Sequence, residues 1–112
     1  MRPSRFKKVE QAREVLATLH PTLFGLENPV PLKIGISADI KSRYPELSWT
    51  LINYIMHRIT IRRAYLAACT AGAARYGLDG PVGDVTEKHA KWAAEVLALR
   101  EAHAKAREQA AA

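Results

Sequence analysis

Apolar residues mark out the chain before any other property does. Val9, Ala12, Val15, Leu16 and Leu19 recur at helical spacing and predict a helix over Arg5 to Leu19, stopped by His20-Pro21. Leu23 and Phe24 anchor a loop from Gly25 to Pro31, where Pro29 and Pro31 exclude regular helix or central strand. An extended Leu32 to Ile36 follows. It leads into a short helix capped by Ser37 that runs to about Arg43, where Tyr44-Pro45 halts it. Ser48 then caps the clearest pattern, a helix from Trp49 to about Ala68. On it Leu51, Ile52, Ile55, Ile59 and Leu66 share about 100° of arc. The β-branched Thr50, Ile52, Ile55, Ile59, Thr60 and Ile61 would also suit a strand, but length and period favour helix.

The pattern changes between Thr70 and Val85, which hold four glycines and Pro81. Asp79-Gly80 supplies the positive φ angles of a tight turn, predicting a hairpin of Ala74 to Leu78 with Pro81 to Gly83. A last helix is expected from Asp84, with Asp84 and Glu87 as a capping-box-like pair and Trp92, Val96 and Leu99 as its apolar stripe. Its Ala-, Glu-, Lys- and Arg-rich course from Ala90 favours helix, fraying over Gln109 to Ala112. The expected fold is mostly α (small α+β): a compact bundle of about four to five helices with one short β-hairpin. The expected organisation is a single domain over residues 1–112, its core at about 9–93 and its last helix reaching about 108.

Charge narrows the function. The 112 residues carry a net charge of +6, but residues 1–78 hold twelve basic against five acidic side chains, and residues 79–112 five against six. A positive field confined to one part of a small domain suits a polyanion. No apolar run is long enough to span a bilayer, and no apolar segment follows the basic Arg2, Arg5, Lys7 and Lys8. A secretory signal is therefore not expected, and a cytoplasmic, membrane-free protein is. The single cysteine, Cys69, cannot form an internal disulfide or a multi-cysteine zinc site.

Catalytic and metal chemistry find little support. His57 lies twelve residues before Cys69, about 18 Å along one helix, so the two cannot form a dyad. No histidine pair has metal-ligand spacing, and no catalytic residue, metal or cofactor is expected. Gly72 and Gly77 have the outer spacing of a phosphate loop, but Leu78-Asp79 stand where Lys-Ser/Thr must be. The long helix offers more. With Tyr54 at 0°, Tyr65 falls at about 20°, Arg58 at about 40° and Arg62 at about 80°, one stripe of phenols and guanidiniums beside the apolar face. Seven basic residues (Lys33, Lys41, Arg43, Arg58, Arg62, Arg63, Arg75) stand against Asp39 and Glu46 between positions 33 and 75. Together they point to binding of nucleic acid. A basic protein-interaction module and a DNA-binding domain are the alternatives.

Two motifs in this region are specific: Pro31-Leu32-Lys33-Ile34-Gly35-Ile36 with Asp39, and Gly72-Ala73-Ala74-Arg75-Tyr76-Gly77-Leu78-Asp79-Gly80. With Leu47-Ser48 and Tyr65-Leu66 between them, the sequence resembles the ProQ/FinO family of bacterial RNA-binding proteins and RNA chaperones over about Val9 to Ala93. The resemblance implies a non-enzymatic, monomeric protein that binds structured RNA (small RNAs and mRNA 3′ ends), typically a terminator hairpin with a single-stranded 3′ tail. By motif it implies that Lys33 brings charge to a phosphate, the Tyr65 hydroxyl holds a terminal nucleotide and Arg75 forks onto a nearby phosphate. Tyr54, Arg58, Arg62 and Lys41 complete the expected RNA-binding set. The sequence departs from familiar members at Trp49, Asn53, His57 and Ala64, where basic side chains are common, so Arg58, Arg62 and Arg63 are expected to compensate. It also lacks the long basic extension of many relatives, so strong strand exchange is not expected.

Overall fold

The computed structural model describes residues 5–111; Arg2 of the basic N-terminus and Ala112 lie outside the described residues. Along these residues run six helices and one hairpin: α1 (Arg5–Leu19), α2 (Pro21–Phe24), α3 (Ile36–Arg43), α4 (Trp49–Thr60), α5 (Arg63–Ala68), β1 (Ala74–Gly77), β2 (Gly80–Asp84) and α6 (Glu87–Ala111). The mostly helical class and the single hairpin agree with the pattern. So do the end of α1 at Leu19 and the Ser48 cap, whose hydroxyl accepts from Leu51 N at 3.1 Å.

Four local expectations are corrected. Gly35, not Ser37, precedes α3; it sits in the left-handed region at φ 85°, so the helix starts two residues early and Ser37 lies inside its first turn. The long helix is broken. After Ile61, Arg62 turns extended (φ -71°, ψ 142°) and α5 begins as a separate element. Thr60 bonds back to Met56 O at 2.8 Å, a contact that bends helices, and it sits in the β-branched run Ile59-Thr60-Ile61. In the hairpin Gly77 pairs with Gly80, so Leu78 and Asp79 form the turn and Gly80, at φ 125°, opens β2. Finally Asp84 is spent in the sheet opposite Ala74, and Thr86 caps α6 by accepting from His89 N at 3.2 Å. The expected terminal fraying is not seen, since α6 is helical through Ala111.

The core gathers around α4. Ile52, Ile55 and Ile59 are buried against Phe24, Ile36 and Ile40, with Val9 and Leu16 from α1 closing one side. Val15 and Leu19 of the first stripe remain exposed. From α6 it is the small Ala93 that reaches the core, while Trp92 and Leu99 of the expected stripe are 54% and 61% exposed. A buried polar clasp ties α1 to its neighbours. Arg13 donates to Phe24 O at 2.8 Å, and both Arg13 and Arg58 bind Glu10, at 3.1 and 2.9 Å. Those hydrogen bonds, Arg13 first, hold the Glu10 carboxyl below its ordinary range against the opposing effect of burial.

Gly35 supplies a stability test. A Cβ there would meet nothing within 4 Å, so only backbone strain opposes substitution. Gly35→Ala should cost about 1–2 kcal/mol in chemical denaturation, and Gly35→Asn less, because asparagine tolerates this region. Equal losses would assign the cost to something other than the backbone.

Candidate functional site

The site begins with one buried peptide group. Pro31 to Lys33 runs parallel to β1, with Tyr76 N donating to Pro31 O and Lys33 N to Tyr76 O, each at 2.9 Å. This pairing leaves the N–H and C=O of Leu32 without backbone partners in a buried place, where both need one. Side chains supply them. Leu32 N donates to the Tyr65 hydroxyl at 3.2 Å, and Arg75 Nη1 donates to Leu32 O at 2.8 Å. The remaining Nη2 of Arg75 faces His89 Nδ1. Thus α5, β1 and α6 each bring one polar side chain to the same spot.

The electrostatics follow from burial. Desolvation pushes the Tyr65 phenol up, opposed by the Leu32 amide, and the neighbouring Cys69 thiol is pushed up for the same reason. Cys69 is thus a buried thiol at the end of α5 rather than a thiolate. Burial, and then the Arg75 charge, lower His89 below its ordinary value. A neutral imidazole that accepts at Nδ1 carries its proton on Nε2. Beside this group lies an open cleft of about 540 Å³ between α5 and α6, walled by Ile61, Leu66, Trp92 and Val96 and bordered by Tyr65, His89 and Arg100.

Lys33 follows Leu32 directly, yet its ammonium enters a different cleft. Its stem packs by Gly77, where a Cβ would lie 3.4 Å from Lys33 Cδ, and Nζ pairs with Asp39 at 2.6 Å. Arg43 binds Asp79 at 2.8 Å in the same region, tying the hairpin turn to α3 around a space of about 310 Å³. Of the three motif residues, then, Tyr65 and Arg75 meet, and Lys33 adjoins them through the backbone.

The broken helix divides the expected stripe. Tyr54 and Arg58 stay on α4 and line a groove against Phe6 and Val9 of α1, with the Arg58 guanidinium 5.6 Å from the Phe6 ring. Tyr65 moves to α5. Arg62 stands between the two, its Nε buried without a hydrogen-bond partner. Lys41 donates to Pro45 O and Leu47 O at 3.0 and 2.6 Å, fastening the loop after α3. Ile61 lines both the α1–α4 groove and the α5–α6 cleft, so these surfaces adjoin. Sequence reasoning missed His89 and the roles of Asp39 and Glu10. Thr86-x-x-His89 signals a helix start, but nothing in it points His89 at Arg75. Among the described residues no cluster of metal-ligating side chains occurs, and no helix is long and apolar enough to cross a membrane.

Comparison with known proteins places the chain in a family. Residues 6–111 match the ProQ/FINO family, and the chain belongs to that family. It is 37% identical over 102 residues to the RNA chaperone ProQ of Haemophilus ducreyi, covering 86% of this chain and 56% of that protein. The RNA chaperone ProQ of Alteromonas mediterranea is also 37% identical, over 112 residues, covering 96% and 50%. The chain therefore spans about half the length of the curated relatives it matches. Its fold resembles the solution structure of a ProQ homolog from Legionella pneumophila (TM-score 0.70, 24% identity, 90% of this chain and 88% of that one). It also resembles the crystal structure of a FinO-like RNA chaperone from Neisseria meningitidis (TM-score 0.64, 23% identity, 80% and 93%).

The Arg75–His89 contact makes a pH prediction. Protonating His89 removes the acceptor for Arg75 and sets two cations together, so the native state binds this proton less readily than the unfolded chain. The contribution is complete above the unfolded histidine value of about 6.5 and is lost as pH falls through the lower native value. Thermal melts between about pH 7.5 and pH 5 should show a steeper acid-side decline for the parent than for His89→Gln. Parallel curves would leave the decline to carboxylates such as Glu10.

Proposed function

We propose that this chain binds structured RNA, a hairpin followed by a single-stranded 3′ tail, and acts as an RNA chaperone or post-transcriptional regulator. The observation that carries the reading is the convergence of Tyr65 and Arg75 on one peptide beside an open cleft. The names of the relatives as RNA chaperones support it, as does the +6 charge. The protein acts by binding rather than by chemistry, as a cytoplasmic monomer with no cofactor, and its targets are small RNAs and mRNA 3′ ends.

Physical chemistry sets the division of labour. The major groove of an A-form duplex is too narrow for side chains to read, so the hairpin stem is held through phosphates, 2′-hydroxyls and shape. Terminal nucleotides are open to hydrogen bonding. Arg75 can turn Nη2 from neutral His89 to a phosphate oxygen, a stronger, charge-assisted partner. The Tyr65 oxygen accepts from Leu32, and its own proton, which has Cys69 as its partner within the protein, is the donor it would turn to a nucleotide. Lys33 adds charge from the adjoining cleft, and Tyr54, Arg58, Arg62 and Lys41 flank the path of the stem. Binding should weaken with salt, with a log–log slope of about -0.7 to -0.9 per phosphate neutralised.

A competition gel shift tests the reading. Hairpin RNA with a free 3′ tail should displace the labelled probe better than duplex DNA or the same RNA ending in a 3′ phosphate. Equal competition by all three would overturn it. Tyr65→Phe and Arg75→Lys, each checked for a cooperative melt, should weaken the tailed hairpin by about 1–3 kcal/mol and a blunt hairpin much less. Arg63→Ala, exposed on α5, should weaken both hairpins alike.

A further inference from the structure

The cleft between α5 and α6 holds a feature that neither the core nor the Tyr65–Arg75 pair explains. Trp92 is the largest side chain on α6, yet it is 54% exposed, while its small neighbour Ala93 makes the buried contact. The indole is not loose. It stands edge to face against His89, ring centroids 5.3 Å apart, and His89 is held in turn by Arg75. A chain of contacts thus runs from Leu32 O through Arg75 and His89 to Trp92. Arg100 borders the same cleft, and its lining residues include no carboxylate.

We infer that this cleft is a nucleobase-stacking subsite, in which the Trp92 indole is the platform and Arg100 holds the adjoining phosphate. The inference rests on the RNA-binding reading and deepens it, because it gives the nucleotides next to the held end a place of their own. Three properties select this occupant. The apolar walls of Ile61, Leu66 and Val96 suit a flat base, an exposed indole gains from stacking on any base, and the cation at the rim matches a phosphate. Neutral His89 offers its Nε2 proton, a donor for a base carbonyl or a phosphate oxygen. The track continues beyond the cleft. On α6 His89, Trp92, Val96, Arg100, His103 and Arg107 recur at intervals of three and four, one helical face, and both His103 and Arg107 are exposed. A strand leaving the cleft along α6 therefore meets a further cation at Arg107.

Trp92 emission reads the subsite directly once Trp49→Phe removes the other tryptophan. Titrating that variant with hairpin RNA carrying a 3′ oligouridine tail should quench the fluorescence, and a blunt hairpin should not. Trp92→Ala should weaken the tailed hairpin about tenfold, equivalent to about 1.4 kcal/mol, and Trp92→Phe should recover most of the loss. Arg100→Gln should flatten the salt dependence for the tailed hairpin by about 0.7, one phosphate of a single strand. Trp92→Ala binding both hairpins as the parent does, while Arg75→Lys loses the tailed one, would overturn the stacking site and leave the RNA reading intact. Quenching by an acidic peptide such as polyglutamate but not by RNA would assign the cleft to a protein partner. A parent protein that binds neither hairpin would remove both readings together.

Discussion

The peptide group of Leu32 is the constraint on which the rest of the structure turns. A buried amide and carbonyl without partners would each cost about 1–3 kcal/mol. Among the described residues the Pro31–Lys33 segment pairs with β1 alone, and that pairing does not reach them. Tyr65 and Arg75 close that gap, and in doing so they fix the distances between α5, the hairpin and the Pro31–Lys33 segment. The helix break at Ile61-Arg62 serves the same end. A straight helix would carry Tyr65 onward along the α4 axis, whereas the turn lets α5 start afresh with Tyr65 and Leu66 facing inward. The residues that the proposed reading assigns to a ligand are therefore also residues that hold the fold.

That double duty explains which parts of the molecule were legible in the sequence. Local signals were reliable where one residue type determines one geometry. Ser48 caps α4, His20-Pro21 ends α1, and the glycine-rich segment makes a hairpin. They failed where two neighbouring signals competed. Gly35 overrode Ser37 because a left-handed residue redirects the chain before a hydroxyl can cap it. Thr86 displaced Asp84 because the hairpin extends far enough to use Asp84 as a strand residue. The break in the long helix was the costliest miss. Helical periodicity continues across it almost in phase, so a wheel drawn through Ile61-Arg62 places Tyr54 and Tyr65 on one stripe when they lie on separate elements.

The sequence offers the candidate site as a set of residues and not as a geometry. The two motifs name Lys33 and Arg75, and the Tyr65-Leu66 pair between them adds Tyr65, but partners distant in sequence decide what each can do. Lys33 meets Asp39, Arg75 meets His89, and Arg58 meets Glu10 from the first helix. Net charge is blind to such pairing. The cations within residues 33–75 do not act as one uniform patch, because Lys33, Lys41, Arg43, Arg58 and Arg75 all have protein acceptors. In the proposed reading, a polyanion arriving here exchanges partners with groups already ordered. Part of the ordering entropy of those side chains is spent on folding rather than on binding.

The same ordering gives the face its asymmetry. The Lys33–Asp39 and Arg43–Asp79 pairs sit in an open cleft, where solvent screens them and either cation can turn to a new anion at little cost. Arg75 differs, being only 6% exposed and facing an imidazole that is neutral rather than a carboxylate. A buried guanidinium paired with a neutral acceptor keeps its full positive charge uncompensated, so its field is directed at whatever enters the neighbouring space. A carboxylate in place of His89 would neutralise that field and spend the arginine on structure alone. It is thus the choice of a histidine at position 89, more than the number of basic residues in the chain, that leaves the Arg75 charge without a carboxylate partner.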